Sequence, residues 1–225
     1  DDVRLFYGSF DQVSQVSKSR LKELAELENV SRLMQASSVG KLLPDDLYIH
    51  VDSLAYIPEM LQVLVELALM ILPKDVPYNI IKIARNSWHV TFLEYPDFME
   101  AAHPTRRGAM KVLLHKNRLQ YRDYTSSENP PVLHRKELFL HSDHPRYEEF
   151  SQLSRAEEEA GLVGRKDIGT RKQWEAALAA GAWRIEGHRL ESNPPVFEGV
   201  EQHLFLPEKK LARAQPGIRK DKDRQ

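Results

Sequence analysis

The sequence predicts an α+β fold, with a mainly antiparallel sheet of hairpins packed against several helices. Two pairs of short segments, 79–84 with 88–94 and 110–115 with 118–124, are rich in β-forming residues. Only three and two residues separate their members, which is typical of hairpins. Helical patterns accompany these pairs, but strands and helices do not alternate along the chain as they do in a parallel sheet.

Helices are predicted from apolar spacing and from residues that start or stop a helix. In the first segment apolar residues recur at three- and four-residue steps, and the second is almost entirely apolar with Pro58 in its first turn. Gly161 and Gly181 end the last two, and Thr170 is expected to cap the final helix. The four segments are 13–36, 57–72, 146–161 and 170–180. Segments 47–51 and 183–191 are predicted as further strands.

The chain of 225 residues is long enough for one large domain, or for one domain with extended arms. We expect an N-terminal helical arm over 1–40, an α+β core domain over 41–206 and a basic C-terminal tail over 207–225. The tail has few apolar residues, which is typical of a solvated segment. Because the net charge is only −1, any attraction to nucleic acid must come from local patches.

Several classes of function are excluded by absent residues. The chain has no cysteine, so disulfides, thiolate nucleophiles, Cys-ligated zinc and iron–sulfur clusters are ruled out, and a reducing cytoplasm is expected. It contains no Gly-x-Gly, no Walker-type Gly-Lys-Ser/Thr and no Gly-x-Ser-x-Gly elbow, and it identifies no cofactor. The longest apolar run, 57–72, carries two glutamates and is too short for a membrane span.

Positive charge is concentrated in the segment 103–146. This segment holds nine Lys and Arg residues against four Asp and Glu, and five of the nine histidines. Basic side chains with interleaved tyrosines, here Tyr121 and Tyr124, bind phosphates and stack on bases. The alternative is a solvated hairpin face whose charges are paired with acids elsewhere. The basic residues in and beside the predicted hairpin are Arg106, Arg107, Lys111, Lys116, Arg118 and Arg122.

Four consecutive residues, His134, Arg135, Lys136 and Glu137, can each make charged or proton-transferring contacts, and a rigid Asn129-Pro-Pro precedes them. In a functional interpretation His134 or Glu137 is a general base, while Arg135 and Lys136 bind an oxyanion. If the run is extended, His134 and Lys136 share a face; in a helix His134 and Glu137 do. The alternative is an Arg–Glu ion pair that anchors the start of a helix.

Three further residues are candidates for the same site: Asp97, His103 and His188. Asp97 and His103 follow a predicted strand and could share a pocket or a metal, but Asp after Pro is most often a turn former. His141 and His144 are spaced as a pair, yet they lack the glutamate of the zinc-protease motif. The sequence therefore predicts no metal site.

An ordered set of motifs extends through about 40–190. The motifs are Gly40-Lys41-Leu42-Leu43-Pro44, Leu47-Tyr48-Ile49-His50, the segment 92–98, His103-Pro104, the segment 129–137, the segment 157–162 and Gly187-His188-Arg189-Leu190. Their succession resembles an uncharacterised bacterial family, the DNA phosphorothioation-associated methyltransferases, in the segment outside their methyltransferase half. The resemblance implies a place beside DNA modification and restriction systems in the bacterial cytoplasm. The adenosylmethionine-binding half has no counterpart here, so three alternatives stay open: a stand-alone version, a fragment with a fused methyltransferase domain, or a partner of a separate methyltransferase.

We therefore expect an accessory module of bacterial nucleic-acid modification or defence that binds a phosphate-bearing substrate. The expected catalytic residues are His134, Glu137, Asp97 and His188, and the expected substrate-binding residues are Asn129, Arg135, Lys136, His103, Arg106, Arg107, Lys111 and Arg122. One alternative is a small hydrolase or nuclease-like enzyme with His134 or Glu137 as general base. Another is a structural partner that docks a separate methyltransferase through the helix over 13–36. The sequence leaves open whether the chain is an enzyme.

Overall fold

A six-stranded antiparallel sheet organises the computed structural model, which describes residues 6, 8–165 and 167–193. Each strand is hydrogen-bonded to the next one in the chain, so the spatial order is β1-β2-β3-β4-β5-β6. The strands are β1 (Lys41–Leu42), β2 (Asp46–His50), β3 (Ile80–Ala84), β4 (His89–Glu94), β5 (Gly108–Leu113) and β6 (Arg118–Asp123). A separate hairpin joins β7 (Trp183–Glu186) to β8 (Arg189–Ser192). The predicted α+β class with an antiparallel sheet is confirmed.

Helices surround this sheet. The α-helices of the described chain are α1 (Phe10–Leu24), α2 (Leu27–Ala36), α3 (Glu59–Leu69), α4 (Tyr147–Glu159) and α5 (Arg171–Ala180), and short 3₁₀ helices span Val51–Tyr56, Leu114–Lys116 and Lys136–Phe139. No helix in the described ranges is both long and apolar enough to cross a membrane. The predicted basic tail over 207–225 lies outside the described residues, and the predicted domain boundaries stay a prediction.

The single helix predicted over 13–36 is two helices. The backbone of Glu26 is extended, with φ −109° and ψ 113°, and it separates α1 from α2. The side-chain amide of Asn29 donates to the Glu23 carbonyl and to the Glu26 carboxylate, which stabilises the break. Because of this break, Leu24 and Val30 are both buried in the core against α3.

The strand predicted over 183–191 is a hairpin instead. Its two arms pair in register, with Trp183 opposite Ser192 and Glu186 opposite Arg189. Gly187 has φ +57°, a conformation that glycine adopts without steric cost, and it allows the chain to reverse at His188. The turn consists of only Gly187 and His188, which is too short to interrupt the apolar pattern of the segment. For that reason the sequence predicts one strand where the structure has two.

The two faces of the sheet pack against different elements. One face is mainly apolar and packs against α1, α2 and α3, with Ile81, Val90 and Phe92 among its fully buried side chains. The opposite face is divided. Near Ile80 and Leu93 it is covered by an aromatic cluster that includes residues of α4 and of the 3₁₀ helix Lys136–Phe139. Its other part is polar.

Candidate functional site

A row of polar side chains crosses the uncovered part of the sheet. Tyr48 is paired with Lys82, Lys82 with Thr91, Thr91 with Lys111, and Lys111 with Gln120. Directly paired residues point to the same face, so these five side chains lie side by side across five strands. The row results from the alternation of polar and apolar residues in β3, β4 and β5.

A groove of about 430 Å³ lies over this row, and we call it the basic groove. Its walls include Arg122, two residues beyond Gln120 on the same face of β6, and Arg106 from the segment before β5. The guanidinium groups of Arg106 and Arg122 lie 5.6 and 6.0 Å from the ring centre of Tyr124. The polar residues whose side chains line the groove are Tyr48, Lys82, Thr91, Arg106, Lys111, Gln120, Arg122 and Tyr124, whereas the side chain of Tyr121 lies on the opposite face of β6, beside Met110.

Most of the positive charge of the basic groove is not neutralised. Lys82 pairs with Asp46 at 3.0 Å. In contrast, Arg106, Lys111 and Arg122 form no ion pair with any carboxylate of the described residues. Burial raises the pKa of the Tyr124 hydroxyl, but the hydrogen bond from Arg122 and the charge of Arg106 outweigh it and lower that pKa overall. The groove therefore presents three cations without carboxylate partners among the described residues, of which Arg106 donates to the Tyr95 hydroxyl and Arg122 to the Tyr124 hydroxyl.

The predicted basic residues are thus divided between two places. Arg106, Lys111 and Arg122 come together in the groove, whereas the guanidinium of Arg107 lies 3.3 Å from the Glu94 carboxylate. Arg107 does not line the groove. Its pairing with Glu94 matches the alternative interpretation, in which the basic residues of the hairpin are neutralised by acids.

The run from His134 to Glu137 is neither a strand nor an α-helix. Arg135 has φ +58°, in the left-handed region that non-glycine residues rarely adopt, and a 3₁₀ helix begins at Lys136. Arg135 Nε lies 3.5 Å from Glu137 Oε1, and Ser154 Oγ donates to Glu137 Oε2 at 2.6 Å. The alternative of an Arg–Glu pair at a helix start matches this arrangement. The roles of Glu137 and Arg135 in catalysis and binding stay predictions.

Lys136 is buried, with 2% of its surface exposed. Its Nζ atom donates to the carbonyls of Phe98 and Ala101 at 2.7 and 2.6 Å, lies 2.9 Å from His188 Nε2, and sits 3.6 Å from the ring centre of Phe150. Burial, with a contribution from the charge of nearby Arg146, lowers the pKa of Lys136 to about 7. Contact between Lys136 and a substrate phosphate would require these interactions to break.

His103 and His134 are brought together by backbone pairing. An antiparallel bridge joins Thr105 to Val132, and hydrogen bonds run from Arg106 N to Pro131 O and from Leu133 N to Pro104 O. Continuing this register by two residues places His103 opposite His134. Their ring centres are 4.9 Å apart. The Asn-Pro-Pro segment therefore aligns the two histidines.

Glu157 of α4 completes this arrangement, and we call His103, His134 and Glu157 the histidine cluster. Glu157 Oε1 is 2.7 Å from His103 Nε2, and the Trp174 ring lies 4.5 Å from the His103 ring and 4.7 Å from the His134 ring. His134 Nε2 lies 2.8 Å from the carbonyl oxygen of Ile168. Burial, followed by the charge of His103, lowers the pKa of His134 to about 4. His134 is therefore neutral at pH 7.

Sequence reasoning missed Glu157, although a signal was present. Glu157 lies three and four residues after Ser154 and Leu153 and seven after Phe150, all of which are buried on one stripe of α4. An acidic residue on a buried stripe is unusual, because a buried carboxylate needs a partner. The neighbouring Glu158 and Glu159 lie outside this stripe. In the sequence alone the three consecutive glutamates therefore resemble the solvent-exposed end of a helix, which conceals the buried position of Glu157.

Two other candidates lie apart from the basic groove. Asp97 is exposed and, together with His103 and Trp174, borders a second groove of about 680 Å³. The Asn129 side-chain oxygen accepts a 2.9 Å hydrogen bond from the backbone N–H of Lys172 in the first turn of α5. Asn129 thus stabilises the start of a helix, and its predicted role in substrate binding stays a prediction.

The segment proposed to dock a methyltransferase contributes both to the core and to an apolar groove. Val30 and Met34 of α2 are buried. Leu21 and Leu24 of α1 line a cavity of about 490 Å³, next to Met70, whose surface is 83% exposed. Docking through this segment stays a prediction.

Comparison of the chain with protein-family models, with curated proteins and with solved structures found no match.

Proposed function

We propose that the basic groove binds single-stranded nucleic acid through the phosphates of its backbone. The observation that carries the proposal is the grouping of Arg106, Lys111 and Arg122 without carboxylate partners among the described residues. Lysine and arginine neutralise backbone phosphates and release counterions, which supplies most of the sequence-independent affinity of such complexes. Since the chain as a whole is nearly neutral, this local charge is what would attract the ligand.

The tyrosines of the groove favour single strands over duplexes. Tyr48 and Tyr124 line the groove, and the guanidinium groups of Arg106 and Arg122 lie close to the Tyr124 ring. Exposed aromatic rings beside cations stack on unpaired bases, whereas the bases of a duplex are already stacked. Adjacent strands of a sheet are about 4.8 Å apart, so Lys82 and Lys111, two strands apart, span roughly 10 Å along the groove. That distance suits contacts to successive nucleotides.

The biological setting in this proposal comes from the family resemblance. The chain would act in the bacterial cytoplasm as an accessory module of a DNA modification or defence system. A methyltransferase, on another chain or in a fused domain, would supply the modification chemistry. In this proposal the uncovered sheet face, and not the run from His134 to Glu137, is the centre of binding; the burial of Lys136 and the contact between Arg135 and Glu137 support that choice.

A direct test is fluorescence anisotropy with a labelled single-stranded oligonucleotide, measured from about 50 to 200 mM salt. In the double variant Lys111→Ala/Arg122→Ala we expect the affinity to fall at least about tenfold at low salt. The slope of log K against log[salt] should become shallower by roughly 1.4, because each lost phosphate contact removes about 0.7. An unlabelled duplex of the same sequence should compete less well than the single strand.

The matched control is Lys18→Ala/Lys22→Ala, which removes two exposed charges from α1, away from the groove. It should leave both the affinity and the salt slope unchanged. If the two double variants behave alike, or if the wild-type chain does not bind the oligonucleotide, the proposal is wrong. A Tyr124→Ala variant separates stacking from charge, since it removes an aromatic ring of the groove but no cation and should weaken binding without changing the salt slope.

A further inference from the structure

The histidine cluster has the donor set of a transition-metal site. Each of its residues offers one ligand atom, and these atoms lie within 4.8 Å of one another. Two imidazole nitrogens and one carboxylate oxygen suit zinc and its neighbours, whereas magnesium and calcium prefer oxygen ligands only. The cluster is independent of the cations that carry the proposed nucleic-acid binding.

Its polar atoms lack the partners that burial requires. Glu157 is 1% exposed, and neither of its carboxylate oxygens accepts a hydrogen bond from the described residues. The 2.7 Å contact with His103 Nε2 is close, but it is not aligned as a hydrogen bond. His134 Nδ1 is also buried, and it has no hydrogen-bond partner among the residues that the structure describes. Buried polar groups without partners are rare and costly, so Glu157 Oε2 and His134 Nδ1, which lie at one place, indicate a missing ligand.

The surroundings orient the ligand atoms. The Ile168 carbonyl lies 2.8 Å from His134 Nε2, so this nitrogen carries the proton and the buried Nδ1 keeps a lone pair for a ligand bond. A carbonyl that holds the far nitrogen of an imidazole is the usual second partner of a metal-binding histidine. Trp174 packs against both histidine rings and restricts their rotation.

We propose that His103, His134 and Glu157 bind one divalent transition-metal ion. Two ligand atoms at about 2.1 Å from a tetrahedral ion are about 3.4 Å apart, so the observed cluster reaches this geometry through small side-chain movements. Three protein ligands leave one coordination position for water or a substrate atom, as in catalytic rather than structural zinc sites.

Cavities on two sides adjoin the site. His103 borders the groove that also contains Asp97, and His134 borders a smaller cavity of about 200 Å³. That smaller cavity is lined by Arg106 and Tyr48, which also line the basic groove. A metal held by the histidine cluster would therefore lie close to the proposed nucleic-acid site.

The test is calorimetric titration of the chelator-treated, tag-free chain with Zn²⁺, at about pH 7.5 where histidines are neutral ligands. We expect a stoichiometry near one ion per chain and a dissociation constant at or below about 1 μM. His103→Asn and Glu157→Gln should each weaken binding at least about 100-fold, since even residues that only support a ligand cost 10- to 100-fold. Fe²⁺, titrated without oxygen, distinguishes a zinc site from an iron site.

His144→Asn is the matched control, because His144 is a partly buried histidine beside Asp52 and outside the cluster. It should bind Zn²⁺ as the wild type does. X-ray absorption of the zinc-loaded wild-type chain should count two imidazole ligands, and this measurement does not depend on the folding of any variant. A wild-type chain that binds no ion, or a His103→Asn variant with unchanged affinity, overturns the proposal. In that case the cluster is a buried His103–Glu157 ion pair.

Discussion

Lys136 Nζ lies 2.9 Å from His188 Nε2, although the two residues are 52 positions apart in the chain. The same nitrogen donates to the carbonyls of Phe98 and Ala101. One ammonium group therefore connects the 3₁₀ helix that begins at Lys136, the segment after β4 and the turn of the β7–β8 hairpin. From these contacts we infer that Lys136 stabilises the fold by linking three separate parts of the chain.

Replacing Lys136 by methionine tests this role. The variant keeps the length of the side chain but removes the donor for two buried carbonyls, at about 1–3 kcal/mol for each unsatisfied group. We expect Lys136→Met to lower the free energy of unfolding by about 2–4 kcal/mol in urea denaturation at pH 7. Lys116→Met, at an exposed position, should change it by less than about 0.5 kcal/mol. Equal stability of the two variants would contradict the inference.

His50 should make the fold sensitive to mild acid. Burial lowers its pKa to about 4, although the nearby Asp52 carboxylate raises it in part, while in the unfolded chain the pKa is about 6.5. Between these values the unfolded state binds more protons, so the free energy of unfolding should fall as the pH drops from about 6.5 to 4, by up to roughly 3 kcal/mol. Urea denaturation at several pH values measures this loss.

His50→Gln isolates the contribution of this histidine. His50 stacks on Phe98 with ring centres 4.4 Å apart, so the variant will be less stable at neutral pH. It should nevertheless lose less stability than the wild type on acidification, since glutamine does not titrate. His134 titrates in the same direction and remains in both proteins. An unchanged pH dependence in the variant would show that His50 is not responsible.

Gly40 should tolerate no side chain. Its φ is +103°, and an added Cβ would lie 2.9 Å from the backbone oxygen of Tyr48 and from Leu47 Cδ1. Gly164 also has a positive φ, +86°, but nothing lies within 4 Å of an added Cβ there. Gly164→Ala should cost only conformational strain, about 1–3 kcal/mol. Gly40→Ala should cost clearly more, because the short strand β1 must also move away from β2. Thermal denaturation compares the two variants, and similar losses would refute the steric argument.

The hairpins β3–β4 and β5–β6 could be predicted from sequence because their signals are local. The predicted segment 79–84 differs from the strand Ile80–Ala84 by one residue, since β-forming residues and a short connection both lie within a few positions. The strand β1 was not predicted, because two residues show no periodicity. Its position depends on pairing with β2, which is a tertiary interaction.

The site was harder to predict because its contacts are distant in sequence. His103 and His134 were both candidates, but only the bridge between Thr105 and Val132 brings them together. Lys136 was assigned to the substrate as a cation able to bind an oxyanion, yet three interior partners hold it. Local pattern identifies residues capable of chemistry, and the tertiary contacts decide which of them face one another.

Glu137 and Ser154 form a buried hydrogen bond whose contribution to the stability of the fold can be measured. Ser154 Oγ donates to Glu137 Oε2 at 2.6 Å, and both side chains are buried. Ser154→Ala would leave that carboxylate oxygen without its donor, so we expect the free energy of unfolding to fall by about 1.5–3 kcal/mol, the range for hydrogen bonds to charged groups. Urea denaturation measures the loss.

Ser151 provides the comparison, because it is buried on the same helix and its hydroxyl has no hydrogen-bond partner within the described part of the chain. Ser151→Ala should change stability by less than about 0.5 kcal/mol. In a double-mutant cycle with Glu137→Gln, the Ser154→Ala effect should shrink, since a neutral amide depends less on the lost donor. If Ser154→Ala costs the same in both backgrounds, the hydrogen bond to the Glu137 carboxylate does not stabilise the fold, and the prediction is wrong.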